Sequence, residues 1–261
     1  MEEDVVTVAI DAAKEAGALL KAGFGGEIGS MSKAGRHDLV TEYDHKSERL
    51  ISSIIHDHYP DHTIIGEEGG KQAGAEGGIE WIVDPLDGTV NYAYGLPMFA
   101  VSIAATHLGK VLAGVVYHPL IDELFVATKG KGATCNGKAL RVSDTERLED
   151  SIVAVGFPYN IAENPMRCLD HFTNLARVGA PIRRMGSAAL DLAYVAAGRF
   201  DTFWEVSLRP WDYAAGMLLV EEAGGQCTNF HGERYTDFIE GPIAASNGHL
   251  HTQLLRYMNE N

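Results

Sequence analysis

The chain has 261 residues, 46% of them apolar and 22% charged, enough for one large domain or two smaller lobes around a sizeable core. Its 36 acidic against 21 basic residues leave a formal charge of −15, a field that repels phosphodiester backbones and disfavours nucleic acid as a partner. Cys135, Cys168 and Cys227 lack CxxC spacing and read as reduced thiols of a cytoplasmic protein; the opening MEEDVVTVAIDAAKEAG has no signal-peptide pattern, and no apolar run reaches the roughly 18 residues of a membrane span.

Val5, Val8, Ala9, Ala12, Ala16, Leu19, Leu20 and Phe24 recur at helical spacing and predict an amphipathic helix over residues 5–24. A second helix is predicted from Thr41 to His58, with Leu50, Ile51, Ile54 and Ile55 inward and Pro60 beyond its end. Residues 63–66 read as a short strand ending in Glu67-Glu68, GGKQAGAEGG (69–78) as a mobile loop, and 79–84 as a strand that stops at Asp84. From Phe99 to Arg141 the pattern is one of strands, with a hairpin about Gly109, a strand ELFVATK, and a tight Asn136-Gly137 hairpin. A seam is expected near 141–151. Beyond it come strand 151–157, helix 165–178, helix 187–198 stopped by Gly198, strand 200–206, helix 211–225, strand 242–248 and a last helix. The mixture predicts an α+β fold of alternating sheet and helix layers.

Acidic residues fall where these elements end. Asp44 lies in the first turn of a helix, Glu67-Glu68 and Asp84 at strand ends, Asp87 just beyond, and Asp212 at a helix start. Each has a local explanation. Thr41-x-x-Asp44 fits a capping box, Asp212 fits an N-terminal charge, and Glu67-Glu68 before two glycines fits a solvated turn. Asp84-Pro-Leu-Asp87-Gly is harder to dismiss, because an aspartate directly after Trp-Ile-Val starts in a buried setting where an unpaired carboxylate is costly. Carboxylates about 4 Å apart repel by about 4 kcal/mol at an effective dielectric near 20, so several in one cleft require cations, and oxygen donors select hard ions. An Asp-x-x-Asp turn presents two carboxylates and the Leu86 carbonyl to a pair of metals, and the amides of Gly88 and Thr89 are open to phosphate oxygens. The aspartyl-nucleophile DxDGT box of haloacid-dehalogenase-type phosphatases is disfavoured, since two residues, one of them proline, separate Asp84 from Asp87.

GEE (66–68), DPLDGT (84–89) and WDYAAG (211–216) resemble the signatures of the inositol monophosphatase family, Mg²⁺-dependent and lithium-sensitive sugar and polyol phosphatases. DLVTEYD (38–44), GKGATCNG (130–137), GSAALDLAYVAAGRFD (186–201) and EEAGG (221–225) fit in the same order, so the resemblance covers nearly the whole chain; LRPWDYAAG (208–216) is nearer the bacterial branch. It implies a layered αβαβα sandwich over residues 1–261, with lobes at about 1–145 and 146–261 and the active site between them. It implies that Glu67, Asp84 and the Leu86 carbonyl hold one Mg²⁺, that Asp84, Asp87 and Asp212 hold another, and that a weaker third leans on Glu67, with Mn²⁺ as substitute and Li⁺ as inhibitor. Thr89 and Asp44 would activate the attacking water, a role that overrides the capping box unless the one side chain serves the two at different times. Gly186, Ser187 and Ala188 would line the substrate pocket and Glu205 would take substrate hydroxyls. Glu68 would support Glu67, and Lys33 would sit near the metals. The implied reaction is inositol-1-monophosphate hydrolysis; fructose-1,6-bisphosphate and histidinol phosphate are the alternatives on the same scaffold. Family members are commonly homodimers, and some bacterial relatives also touch the transcription machinery.

Overall fold

The computed structural model describes residues 2–26, 30–32 and 39–259; Lys33 and Asp38 lie outside the described residues. Helix α1 (Glu2–Gly23) leads through a ribbon of β1 (Ser30–Ser32) and β2 (Leu39–Thr41) into α2 (Glu42–His58). Strands β3 (Thr63–Gly66), β4 (Gly70–Gln72) and β5 (Glu80–Asp87) precede the short helix α3 (Thr89–Ala93). A meander follows, β6 (Ala100–His107), β7 (Lys110–His118), β8 (Glu123–Thr128), β9 (Gly132–Cys135) and β10 (Lys138–Ala139). The second half comprises β11 (Val153–Val155), α4 (Cys168–Val178), β12 (Ile182–Arg183), α5 (Ala188–Ala196), β13 (Thr202–Leu208), α6 (Pro210–Glu222), β14 (Gln226–Thr228), β15 (Gly241–Ser246) and α7 (His251–Asn259).

Besides the β1–β2 ribbon, the described residues form two larger sheets, one ordered β10-β9-β8-β7-β6-β5-β3-β4 and one ordered β12-β11-β13-β15-β14. Strand alternation assigns their faces. Trp81 and Val83 of β5 pack with Ala12, Ala16, Ile51 and Ile55 of α1 and α2, whereas Ile82 packs in the opposite core with Leu190 of α5 and Leu218 of α6. The same central core takes Phe203 and Ala245 from the second sheet, while Trp204 and Ala244 face Leu175 of α4 and Leu254 of α7. The layers therefore run αβαβα, with α5 and α6 sandwiched between the sheets.

Three of the boundaries that depart from the sequence-based expectation have a local physical cause. Residues 70–72, expected in a mobile loop, form an exposed edge strand, because the glycines that suggested looseness also permit the reversal onto β3, where Ile64 pairs with Gln72 and Gly66 with Gly70. The helix expected from residue 165 begins at Cys168, since Asn164, Met166 and Arg167 all take left-handed φ values. The strand expected to stop at Asp84 continues to Asp87.

Candidate active site

That continuation shapes the site. Asp84 pairs with Ser102 and Asp87 with Ala100, so three steps along β5 match two along β6, a bulge of one residue. In a regular strand, side chains three positions apart project to opposite faces. The bulge brings both carboxylates to one side. Pro85 falls inside it, where the ladder loses no N–H, and its carbonyl accepts from Ser47 Oγ at 2.7 Å. The Leu86 N–H turns inward to Asp84 Oδ1 at 3.0 Å.

Asp212, in the first turn of α6, completes the group. Ligand oxygens of Asp84, Asp87 and Asp212 all lie within 4.8 Å of one another. Asp212 Oδ2 also accepts from the Arg209 N–H at 2.6 Å, and Ser102 Oγ donates to the Trp211 carbonyl at 3.1 Å, which pins the start of α6 to β6. The electrostatics are those of an acidic cluster short of cations. Burial, then the charges of Glu67, Asp87 and Asp212, push Asp84 well above the ordinary carboxylate range. Burial and the charges of Asp87 and Glu67 do the same to Asp212. Asp87 is pushed up to about 6 by burial, moderated by hydrogen bonds from Ser187 Oγ at 2.5 Å and the Ala189 N–H at 2.8 Å. Thus Ser187 and the start of α5, which line the cavity with Gly186 and Ala188, are already engaged in fixing Asp87. Two buried carboxylates, Asp84 and Asp87, and the half-buried Asp212, offering only oxygen, suit a hard divalent cation.

Beside this trio, Thr89 Oγ1 stands 2.8 Å from Asp44 Oδ1 and 3.0 Å from the Leu86 carbonyl. Asp44 Oδ2 meanwhile accepts from the Thr41 N–H at 2.8 Å and Thr41 Oγ1 at 2.6 Å. The capping box is therefore present together with the Thr89 contact, one carboxylate oxygen serving each, so the two contacts are simultaneous and do not alternate. Burial raises Asp44 above its ordinary value, and the hydrogen bonds from Thr41 and Thr89 partly offset it. Gly88, at φ +93°, turns the chain from β5 into α3; a Cβ there would lie 2.8 Å from the Met98 carbonyl. Asn91 Nδ2 then reaches the carbonyls of Met98 (2.7 Å) and Met185 (2.9 Å), tying the β5–α3 corner to the loop before α5.

Glu67 lines the same cavity, outside the trio. Its turn is held by a residue that sequence reasoning missed. Glu48, buried on α2, accepts from the Glu68 N–H at 2.8 Å and from the Gly69 N–H. A Cβ on Gly66 would sit 2.6 Å from the Glu48 carboxyl carbon, and one on Gly69 would sit 2.5 Å from Glu48 Oε1, so both glycines make room for this clamp. One signal was available. Glu48 follows Asp44 by one helical turn and so shares its inward face. Glu205 (8% exposed) and Asp191 (1% exposed) complete the buried acids of a cavity of about 920 Å³ lying between β5, α5, α6 and β13. Asp191 was also missed, hidden in the apolar run AALDLAYVA.

The layered fold and the carboxylate trio at a strand bulge define the class, an αβαβα sandwich with an acidic cleft between its layers. Within it, the chain belongs to the inositol monophosphatase family, whose model matches residues 1–261. It is 42% identical over 257 residues to the Nus factor SuhB of Escherichia coli strain K12, covering 98% of this chain and 96% of that one. It is 41% identical over 248 residues to the inositol-1-monophosphatase of Rhizobium meliloti, covering 94% and 92%. Among solved structures, extragenic suppressor protein suhB from Bartonella henselae superposes with a TM-score of 0.93 at 41% identity, covering 99% of each chain. An IMPase/NADP phosphatase complexed with Mg²⁺ and phosphate superposes with a TM-score of 0.80 at 27% identity, covering 90% of this chain and 87% of that one. Among the described residues, no helix is long and apolar enough to cross a membrane.

Proposed function

We propose that the chain is a Mg²⁺-dependent phosphomonoesterase acting on a polyol monophosphate, myo-inositol 1-phosphate foremost. The observation that carries this reading is the placement of the Thr89–Asp44 pair next to the Asp84, Asp87 and Asp212 trio, joined to it through Leu86. Glu67, Asp84 and the Leu86 carbonyl would hold one ion, Asp84, Asp87 and Asp212 a second, and Glu67 a weaker third; Mn²⁺ would substitute and Li⁺ would inhibit. When bound, such ions supply charge neutralisation at the transferring phosphoryl group and its leaving oxygen.

The remaining chemistry belongs to side chains. Thr89 has one hydroxyl proton and two acceptors within reach, so donating it to Asp44 leaves an oxygen lone pair for the attacking water. Asp44, kept proton-hungry by burial, draws the water's proton through Thr89. The amides of Gly88 and Thr89 face the phosphate oxygens, Gly186, Ser187 and Ala188 border the alcohol, and Glu205 accepts its hydroxyls. The one domain would work as two lobes closing on this cavity, in a cytoplasmic homodimer.

A panel of phosphate esters assayed with Mg²⁺ tests the reading. Inositol 1-phosphate is expected to exceed fructose 1,6-bisphosphate and histidinol phosphate in kcat/KM, and preference for either of the others overturns the substrate while keeping the chemistry. Thr89→Ala is expected to lower kcat about 100-fold with little change in the Mg²⁺ concentration for half-maximal rate. An unchanged kcat removes Thr89 from water activation. Glu48→Ala is expected to raise that half-maximal Mg²⁺ concentration about tenfold by releasing the Glu67 turn, and Glu48→Gln, which keeps an acceptor for the Glu68 N–H, to restore most of it. Equal Mg²⁺ affinity in all three proteins, measured by calorimetry, rules out the clamp.

The E. coli relative's description as a Nus factor favours a second reading, a transcription-associated contact borne by the same fold. Asp87→Asn separates the two, since retention of RNA polymerase by the inactive variant would support the second.

A further inference from the structure

Asp191 occupies an expensive position. It lies on α5 among Leu190, Leu192 and Ala193, is 1% exposed, and its Oδ1 has no hydrogen-bond partner. A leucine there would cost the fold less than an unpartnered carboxyl. Yet Asp191 borders the cavity, on the face of α5 it shares with Ser187 and Ala188, four and three residues earlier. Across the cavity stands Glu205 of β13, its carboxyl backed so closely against Gly156 that a Cβ on Gly156 would collide with it. Among the described residues Glu205 also lacks a protein donor. Arg184 borders the same space with no ion-pair partner among the described residues, its Nη1 near Gly186. Its charge acts on both acids, against their burial and the charge of Asp87.

This wall holds two acceptors short of donors and one fork of donors short of an acceptor. An ammonium group only donates, and Arg184 repels it. A second phosphate only accepts, and it would leave the acceptor oxygens of both acids without a donor. A hydroxyl both donates and accepts, and only a hydroxyl-rich, uncharged alcohol satisfies all three residues. We propose that Asp191 is a specificity-determining residue that accepts a hydroxyl of the alcohol moiety, forming with Glu205 and Arg184 a subsite for a neutral polyhydroxylated alcohol. The proposal rests on the phosphomonoesterase reading and deepens it.

The test compares kcat/KM for inositol 1-phosphate with that for p-nitrophenyl phosphate, which lacks hydroxyls, in wild type, Asp191→Leu and Asp191→Asn with Mg²⁺. Asp191→Leu is expected to reduce the ratio of the two about 10–100-fold, mostly through KM, and Asp191→Asn, which keeps one acceptor in the same shape, by less. Should the leucine variant not fold, the asparagine variant still reads the ratio. A ratio unchanged in every folded variant, with wild type active on both esters, overturns the subsite and leaves the phosphatase reading standing. A wild type inactive on both esters overturns the phosphatase reading, and the subsite with it.

Discussion

Asp87→Asn is expected to lower Mg²⁺-dependent phosphate release by at least about 10³-fold while the fold survives. The loss follows from position. Asp87 shares the trio's 4.8 Å span with Asp84 and Asp212, so removing its charge takes one of three anionic donors from the proposed second ion. Survival follows from the partners it already has. Its Oδ2 accepts from Ser187 Oγ and the Ala189 N–H, and an asparagine carbonyl of the same shape can take both bonds. Burial makes Asp87 a destabilised anion without a cation, so in EDTA the variant should melt no lower than wild type. Phosphate release and circular-dichroism melting, measured on the same preparation, check both halves. Near-native turnover would contradict the two-ion arrangement, and a collapsed melting transition would show Asp87 to be structural instead.

Sequence reached some of this and not the rest, for identifiable reasons. The periodicity of α1 and α2, the Asn136-Gly137 turn and the final order of helices and strands were legible because local spacing decides them. Asp84 and Asp87 were legible because they follow an apolar strand, whereas Asp212 fitted a helix-start charge equally well and joined them through the resemblance of WDYAAG. The bulge was not. Asp84 and Asp87 are three positions apart in either case, and only pairing with Ser102 and Ala100 shows that they share a side. Asp44 was read as capping or catalytic, or as each in turn, and geometry allows both contacts at once, because a carboxylate has two oxygens and Thr41 and Thr89 approach different ones. Glu48 looked like any helical glutamate, and its clamp on the Gly66–Gly69 turn joins residues about 20 apart in sequence. Asp191 stayed hidden because a lone acid in an apolar helix carries no motif; the absence of a partner for its Oδ1 is a property of the folded chain alone.

The stabilisation that Mg²⁺ confers is expected to grow with pH. Asp84 and Asp212 are raised well above 3.8 and Asp87 to about 6, chiefly by burial. Between pH 4 and the folded values, the native metal-free chain keeps protons that the unfolded chain has released. Stability without metal therefore falls as pH rises through that window, because the native state binds more protons than the unfolded one. Mg²⁺ competes with those protons for the same oxygens, so its apparent affinity climbs over the range in which they are lost. With Mg²⁺ about 100 times its dissociation constant at pH 8, linkage supplies about 2.7 kcal/mol, a rise in Tm of roughly 5–10 °C for a chain of this size. At pH 5.5, below the value of about 6 for Asp87, protons hold more of these oxygens and the rise should be smaller. Buried histidines act in the opposite sense. His251 is lowered to about 4 by burial, and His118 and His171 are lowered as well, so they withdraw stability as pH falls below the ordinary histidine value. They do so with and without metal, and the difference between melting curves in Mg²⁺ and in EDTA removes them. A Mg²⁺-dependent shift of equal size at pH 5.5 and pH 8 would mean that the ion does not bind where these carboxylates hold their protons.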